Sequence, residues 1–147
     1  MQISDFLAPD DVVLKIRASD KEQLLQELAH RAAEKLKLPE EDIASELRKR
    51  EGLGSTGMGD GVAIPHARFA AIARPFGMIA RLKTPIDFEA IDGQPVDIVF
   101  LLLLPAAATG EQLGALACVS RKLRAPDDLV RLRRAKKASE LYAALRA

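Results

Sequence analysis

The apolar positions fall into a few distinct patterns along the chain. Leu25, Leu28, Ala29, Ala32 and Leu36 recur at intervals of three and four, which predicts a helix over residues 19–36 with one buried stripe. Ser19 and Glu22 stand at capping-box spacing at its start. Pro39 suits the first turn of a second helix that carries Ile43 and Leu47 to Arg50, with Gly52 as its C′ residue. Ile3 to Leu7 reads as a short docking turn, and Val12 to Ile16 as a first strand. Phe76, Met78, Ala80 and Leu82 would share one face of a later strand. Val96 to Leu104 is almost uninterruptedly apolar, as expected of a central strand buried on both faces, and Pro105 ends it; Asp92-Gly93 marks the turn before it. A third strong helix is predicted from Thr109 to Leu123, with Leu113, Leu116, Ala117, Ser120 and Leu123 on one side and Thr109 and Gln112 at capping-box spacing. Pro126 opens a shorter helix to about Arg134, and a last one covers Ser139 to Leu145. Helices and strands alternate loosely. The expected fold is therefore α/β: a three-layer α/β/α sandwich, a mixed β-sheet with helices on both faces, in a single domain over residues 1–147.

Composition adds bounds rather than detail. The chain has 147 residues, 48% of them hydrophobic and 29% charged, which is ordinary for a globular domain with one sizeable core. A formal net charge of +1 gives no argument for nucleic acid or an anionic membrane. The single cysteine, Cys118, cannot form an internal disulfide; in its apolar helical setting it reads as a buried, inert thiol. The first residues show neither a basic nor an apolar signal region, and no apolar run approaches the roughly 20 residues that span a bilayer. A cytoplasmic protein without membrane insertion is expected.

The chemistry concentrates in one place. Five of the nine glycines lie between Gly52 and Gly61, and the stretch runs on through Val62-Ala-Ile-Pro-His66-Ala-Arg68. Such density needs positive φ angles or a close backbone approach to justify its entropy. Gly52-Leu-Gly54-Ser-Thr-Gly57 matches GxGxxG literally, but a dinucleotide site requires those glycines to follow a strand and open a helix. Here they follow a helix and lead to Val-Ala-Ile-Pro, so that reading is set aside. A glycine loop can also turn backbone N–H groups toward an anion. Ser55 and Thr56 add hydroxyl donors, and Arg50 and Arg68 add guanidinium groups that match phosphate oxygens. His66, held by Pro65, is a competent nucleophile near neutral pH. Together these residues describe a phosphoryl-accepting histidine site. His30 points away from its helix's apolar stripe and is read as solvent-facing; two histidines so placed make no metal site, and no cofactor is implied. The segment from Arg121 to Lys137 carries eight Lys or Arg against two Asp, without interleaved aromatic residues, and reads as a solvated face or a docking surface for an acidic partner rather than a nucleic-acid patch.

Arg50-Glu-Gly-Leu-Gly-Ser-Thr-Gly57, followed by Gly61-Val-Ala-Ile-Pro-His66, resembles the active-site region of the fructose/mannitol-type EIIA domains of the bacterial phosphoenolpyruvate-dependent phosphotransferase system. Thr84-Pro-Ile-Asp-Phe-Glu-Ala-Ile-Asp-Gly-Gln-Pro-Val96 is similar to that family's approach to its central strand. A free-standing chain of this length looks most like the nitrogen-regulatory branch, EIIA-Ntr. The resemblance implies a phosphocarrier in which His66 takes a phosphoryl group, on Nε2, from a phosphorylated HPr-type protein. It implies Arg50, Ser55 and Thr56 as phosphate-supporting residues, and regulated partners such as potassium transport proteins, sensor kinases or metabolic enzymes. Many members carry a second histidine where this chain has Gln112, which can donate a hydrogen bond but cannot carry a proton or charge. Ala67-Arg68 stands where the family often has glycine and a basic residue. The glutamine suits signalling better than onward transfer. The alternatives are a sugar-specific EIIA serving an EIIB, and a binding module of the same fold that has lost phosphotransfer.

Overall fold

The structure, a computed structural model, describes residues 1–107 and 110–146, with the side chains of 110–112 outside the description. A 3-10 turn (Ile3–Asp5) leads into strand β1 (Leu7–Ile16), helices α1 (Lys21–Leu36) and α2 (Glu40–Gly52), and the short strands β2 (Gly57–Gly59), β3 (Val62–Ala63) and β4 (His66–Phe69). Strands β5 (Phe76–Ile86) and β6 (Val96–Pro105) follow, then helices α3 (Gly110–Arg124), α4 (Pro126–Arg134) and α5 (Ala138–Arg146).

The sheet runs in the order β1-β5-β6-β3-β2, with β4 also paired to β6. Pairs β1–β5, β3–β6 and β4–β6 are parallel, whereas β5–β6 and β2–β3 are antiparallel, so the sheet is mixed as expected. The central strand shows why its sequence is apolar throughout. Val99, Leu101 and Leu103 pack into the layer of α1 and α2, while Ile98, Phe100, Leu102 and Leu104 pack into the layer of α3, α4 and α5. Successive side chains of one strand thus feed two cores. Met78, Ala80 and Leu82 of β5 share the α1–α2 side, while Ile79 faces the other together with Arg81, which donates to the Leu132 carbonyl of α4 at 2.9 Å.

Several expectations shift. Asp20, not Ser19, caps α1: its Oδ1 accepts the Gln23 N–H at 2.8 Å, and Gln23 Oε1 reaches back to the Ser19 N–H at 3.0 Å. A carboxylate is the stronger partner for the helix's positive end. Gly52 is the last residue of α2 rather than a left-handed C′ residue, and Leu53 caps the helix in a right-handed conformation. Strand β1 starts at Leu7, five residues before the expected apolar run, and Pro105 is the last residue of β6 rather than a stop before it.

The largest correction concerns α3. Its buried side is Ala115, Val119 and Leu123, one residue every fourth position; Leu113 is 74% exposed, and Leu116 and Ser120 are only half-buried. Small residues let the helix settle close on the sheet, which leaves Leu113 exposed and Leu116 only partly packed against the core. Cys118 is half-buried rather than sealed in the core. Thr109 and the side chain of Gln112 lie outside the described residues, so their expected cap is not described either.

Candidate active site

His66 opens β4, and its neighbours explain where its ring goes. Val62 and Ile64 face the α3 layer, and Ala67 and Phe69 face the α1–α2 layer. Strand alternation therefore puts His66 and Arg68 on the α3 side, at the point where that face leaves the core. Leu102 N–H donates to the Pro65 carbonyl at 3.0 Å, anchoring the turn onto β6. Among the described residues no strand covers the outer edge of β4, so α2 and α3 both reach the histidine.

Two clefts meet at the half-buried imidazole. One, of about 420 Å³, is bordered by Glu46, Lys49, Arg50 and Leu53 of α2, Arg68 of β4, and Leu113 and Leu116 of α3. The other, of about 340 Å³, runs past Arg50, Ser55 and Thr56 to Ile91, Ser120 and Arg124. The structure thus brings His66, Arg50 and Arg68 to one cleft, and His66, Arg50, Ser55 and Thr56 to the next. Leu53 and Ile91, each 86% exposed, and Leu113 stand around them as uncovered apolar side chains.

The ring's tautomer follows from one contact. His66 Nδ1 lies 2.8 Å from the Ile64 carbonyl oxygen. A carbonyl can only accept, so Nδ1 carries the hydrogen and Nε2 keeps its lone pair. Burial holds the His66 pKa below the ordinary histidine value, and the Arg50 and Arg68 cations push it the same way; the Ile64 bond and the Glu51 carboxylate oppose them. The imidazole is consequently neutral at pH 7, with a nucleophilic nitrogen beside two guanidinium groups.

The supporting residues are arranged differently from the expected anion nest. Ser55 Oγ donates to the Phe88 carbonyl at 2.7 Å and accepts the Gly57 N–H at 3.0 Å. The Thr56 hydroxyl donates to Glu51 Oε2, and the Thr56 N–H donates to Glu51 Oε1 at 3.0 Å. Gly54 N–H goes to the Glu51 carbonyl at 3.1 Å. These donors are matched by Glu51, Phe88 and the loop itself, whereas the Arg50 and Arg68 side chains border the cleft. Arg50 Nη1 donates to the Gly54 carbonyl at 2.8 Å, so the loop in turn orients the arginine. Glycine is required at Gly57 by close approach, because a Cβ there would lie 2.8 Å from Ala90, and at Gly61 by a φ of +78° beneath the Arg133 side chain.

Residues 5–147 match the family described as "Phosphoenolpyruvate-dependent sugar phosphotransferase system, EIIA 2". The chain belongs to this EIIA family. Among EIIA relatives it is 45% identical, over 145 residues, to a nitrogen regulatory protein of Bradyrhizobium diazoefficiens, covering 99% of this chain and 95% of that one. It is 39% identical to a nitrogen regulatory protein of Pseudomonas aeruginosa, with 97% and 93% covered. The crystal structure of the nitrogen regulatory protein IIA-Ntr from Neisseria meningitidis superposes with a TM-score of 0.92 at 36% identity, covering 97% of this chain and 98% of that one. The mannitol IIA of Escherichia coli shares the EIIA fold at a TM-score of 0.77 and 17% identity, with 94% and 97% covered.

Sequence reasoning missed Ser120 and Arg124, which border the second cleft, and Glu51, whose carboxylate acts on the His66 ring. Arg124 was legible only as one charge in a basic segment. Of that segment, Arg133 is bound to Asp97 at 2.9 Å, and Lys122 and Arg131 to Asp128 at 3.3 and 2.8 Å. Among the described residues no group of His, Cys, Asp and Glu is placed to hold a metal ion, and no helix is long and apolar enough to cross a membrane.

Proposed function

We propose that this chain is the phosphocarrier of a nitrogen-type phosphotransferase system, accepting a phosphoryl group on His66 from an HPr-type protein and acting on partner proteins according to its phosphorylation state. The observation that carries this reading is the Nδ1–H bond to the Ile64 carbonyl, which leaves Nε2 unprotonated in a cleft bordered by Arg50 and Arg68. In the transfer, the Nε2 lone pair forms the new N–P bond. The donor's bond to phosphorus breaks, and its electron pair leaves with the donor atom. The hydrogen on Nδ1 stays in place, so the ring becomes cationic while the phosphoryl oxygens face the guanidinium groups. Leu53, Ile91 and Leu113 offer the apolar surface that a docking protein would cover. The nitrogen regulatory names of the relatives at 45% and 39% identity favour signalling over sugar transport.

Labelling from radioactive phosphoenolpyruvate, through enzyme I and an HPr-type protein, tests the reading. The expected result is an acid-labile label on the wild-type chain that is absent in His66→Ala. An unlabelled wild-type chain would leave the binding module standing in its place. A label retained in His66→Ala would move the site elsewhere.

A further inference from the structure

Glu51 sits where a carboxylate is least expected. It lies in the last turn of α2, at the negative end of the helix dipole, and its side chain is only 5% exposed. Its surroundings explain its presence. Lys21 Nζ, from the first residue of α1, lies 3.0 Å from Glu51 Oε1. The same ammonium stands 4.7 Å over the centre of the Phe88 ring, and the Phe88 carbonyl is the acceptor of the Ser55 hydroxyl. Glu51 meanwhile takes both the N–H and the hydroxyl of Thr56. The Thr56 carbonyl accepts the Ile64 N–H at 3.1 Å, and the Ile64 carbonyl accepts Nδ1–H of His66. A continuous line of hydrogen bonds therefore joins α1 to the imidazole, and Lys21 touches both anchors of the Ser55-Thr56 segment.

We propose that the Lys21–Glu51 pair is a positioning device for the nucleophile: it holds Thr56, and through Ile64 keeps the His66 ring in the Nδ1–H tautomer with Nε2 toward the cleft. The assignment rests on His66 as the acceptor and adds the residues that aim it. Neither Lys21 nor Glu51 touches the reacting atoms. Both act through the loop, where a displacement of about 1 Å is enough to slow a reaction on the order of 100-fold.

Glu51→Gln keeps the size of the side chain, loses one acceptor for Thr56 and leaves Lys21 only the exposed Glu89 carboxylate, 3.6 Å away. Lys21→Met removes the cation, and Lys21→Arg keeps it. Single-turnover phosphoryl transfer should slow at least about 10-fold at saturating donor in Glu51→Gln and Lys21→Met, with half-saturation changed less than about two-fold, and Lys21→Arg should recover most of the rate. Ring nitrogen NMR of the unmodified proteins should show the Nδ1–H tautomer in the wild type and a mixture in the two disabling variants. Folded variants with wild-type rates and an unchanged tautomer would overturn the proposal, as would Lys21→Arg behaving like Lys21→Met. If Glu51→Gln does not fold, the two Lys21 variants carry the same test. The tautomer measurement needs no donor, so a wild-type chain that takes no label defeats the phosphocarrier reading while the NMR comparison still decides this one.

Discussion

The two histidines are the same side chain in opposite settings. His66 is half-buried at the end of the sheet, where desolvation and the nearby arginines favour the neutral ring. His30 stands in solvent on α1 with its two ring nitrogens 2.8 Å from Glu40 and 3.1 Å from Glu34, and those carboxylates raise its pKa. One setting keeps a lone pair available, and the other stabilises a cation that joins two helices. Whether a histidine is a nucleophile or a surface cation is therefore decided by its neighbours.

The sharpest way to break that contrast is to delete each ring. His66→Ala should abolish phosphoryl acceptance, whereas His30→Ala should accept at the wild-type rate in the same labelling assay. Equal losses in both would mean that the settings do not separate the roles. Next, Arg50→Met removes one charge-assisted partner of the incoming phosphoryl group and should lower the acceptance rate by about 10- to 100-fold. It should also move the His66 pKa upward, because a cation that disfavours protonation is gone; an NMR titration would show a downward shift if that account is wrong.

The pH dependence sharpens the comparison further. Protonation occupies Nε2, so acceptance should be full well above the His66 pKa and fall as the pH drops through a value below the ordinary histidine 6.5. Carbon-bound ring protons should report His66 titrating below that value and His30 above it; reversed order would refute both environments at once. The smallest effect is expected for Glu40→Gln, which should bring the His30 pKa down toward the ordinary value and leave the thermal midpoint and the acceptance rate unchanged.

Much of this was readable before any coordinates. The five helices, the long strands and the doubly buried central strand followed from periodicity, because burial on one or two faces leaves a direct trace in the sequence, whereas the short strands β2, β3 and β4 around His66 are too brief to show a period and were not expected. His66 and Arg50 were legible because their types and spacing announce anion chemistry, and the geometry sets both beside one cleft. What escaped has a common cause. The stripe of α3 was misjudged because Leu113, Leu116 and Leu123 fall at helical spacing, yet Leu113 and Leu116 line the cleft while Ala115 and Val119 meet the sheet. The glycine loop suggested free backbone donors, but the N–H groups of Gly54, Thr56 and Gly57 are matched by Glu51 and Ser55 and that of Asp60 by Asp92, pairings that depend on the path of the chain. Lys21 and Glu51 are thirty positions apart in sequence and become partners only when α1 packs on α2.

The tethering of the chain around His66 has a further consequence. Ile64 is tied to Thr56, Pro65 to Leu102, and β4 lies in register along the central strand from His66 opposite Leu102 to Phe69 opposite Pro105. A backbone held at each of these points would have little freedom to travel if the ring gained the proposed phosphoryl group. A partner that distinguishes the two forms would then read a change of potential rather than a change of shape. Its preference should shrink steadily as salt is added, since mobile ions screen exposed charge beyond about 10 Å at 0.1 M and leave contours untouched.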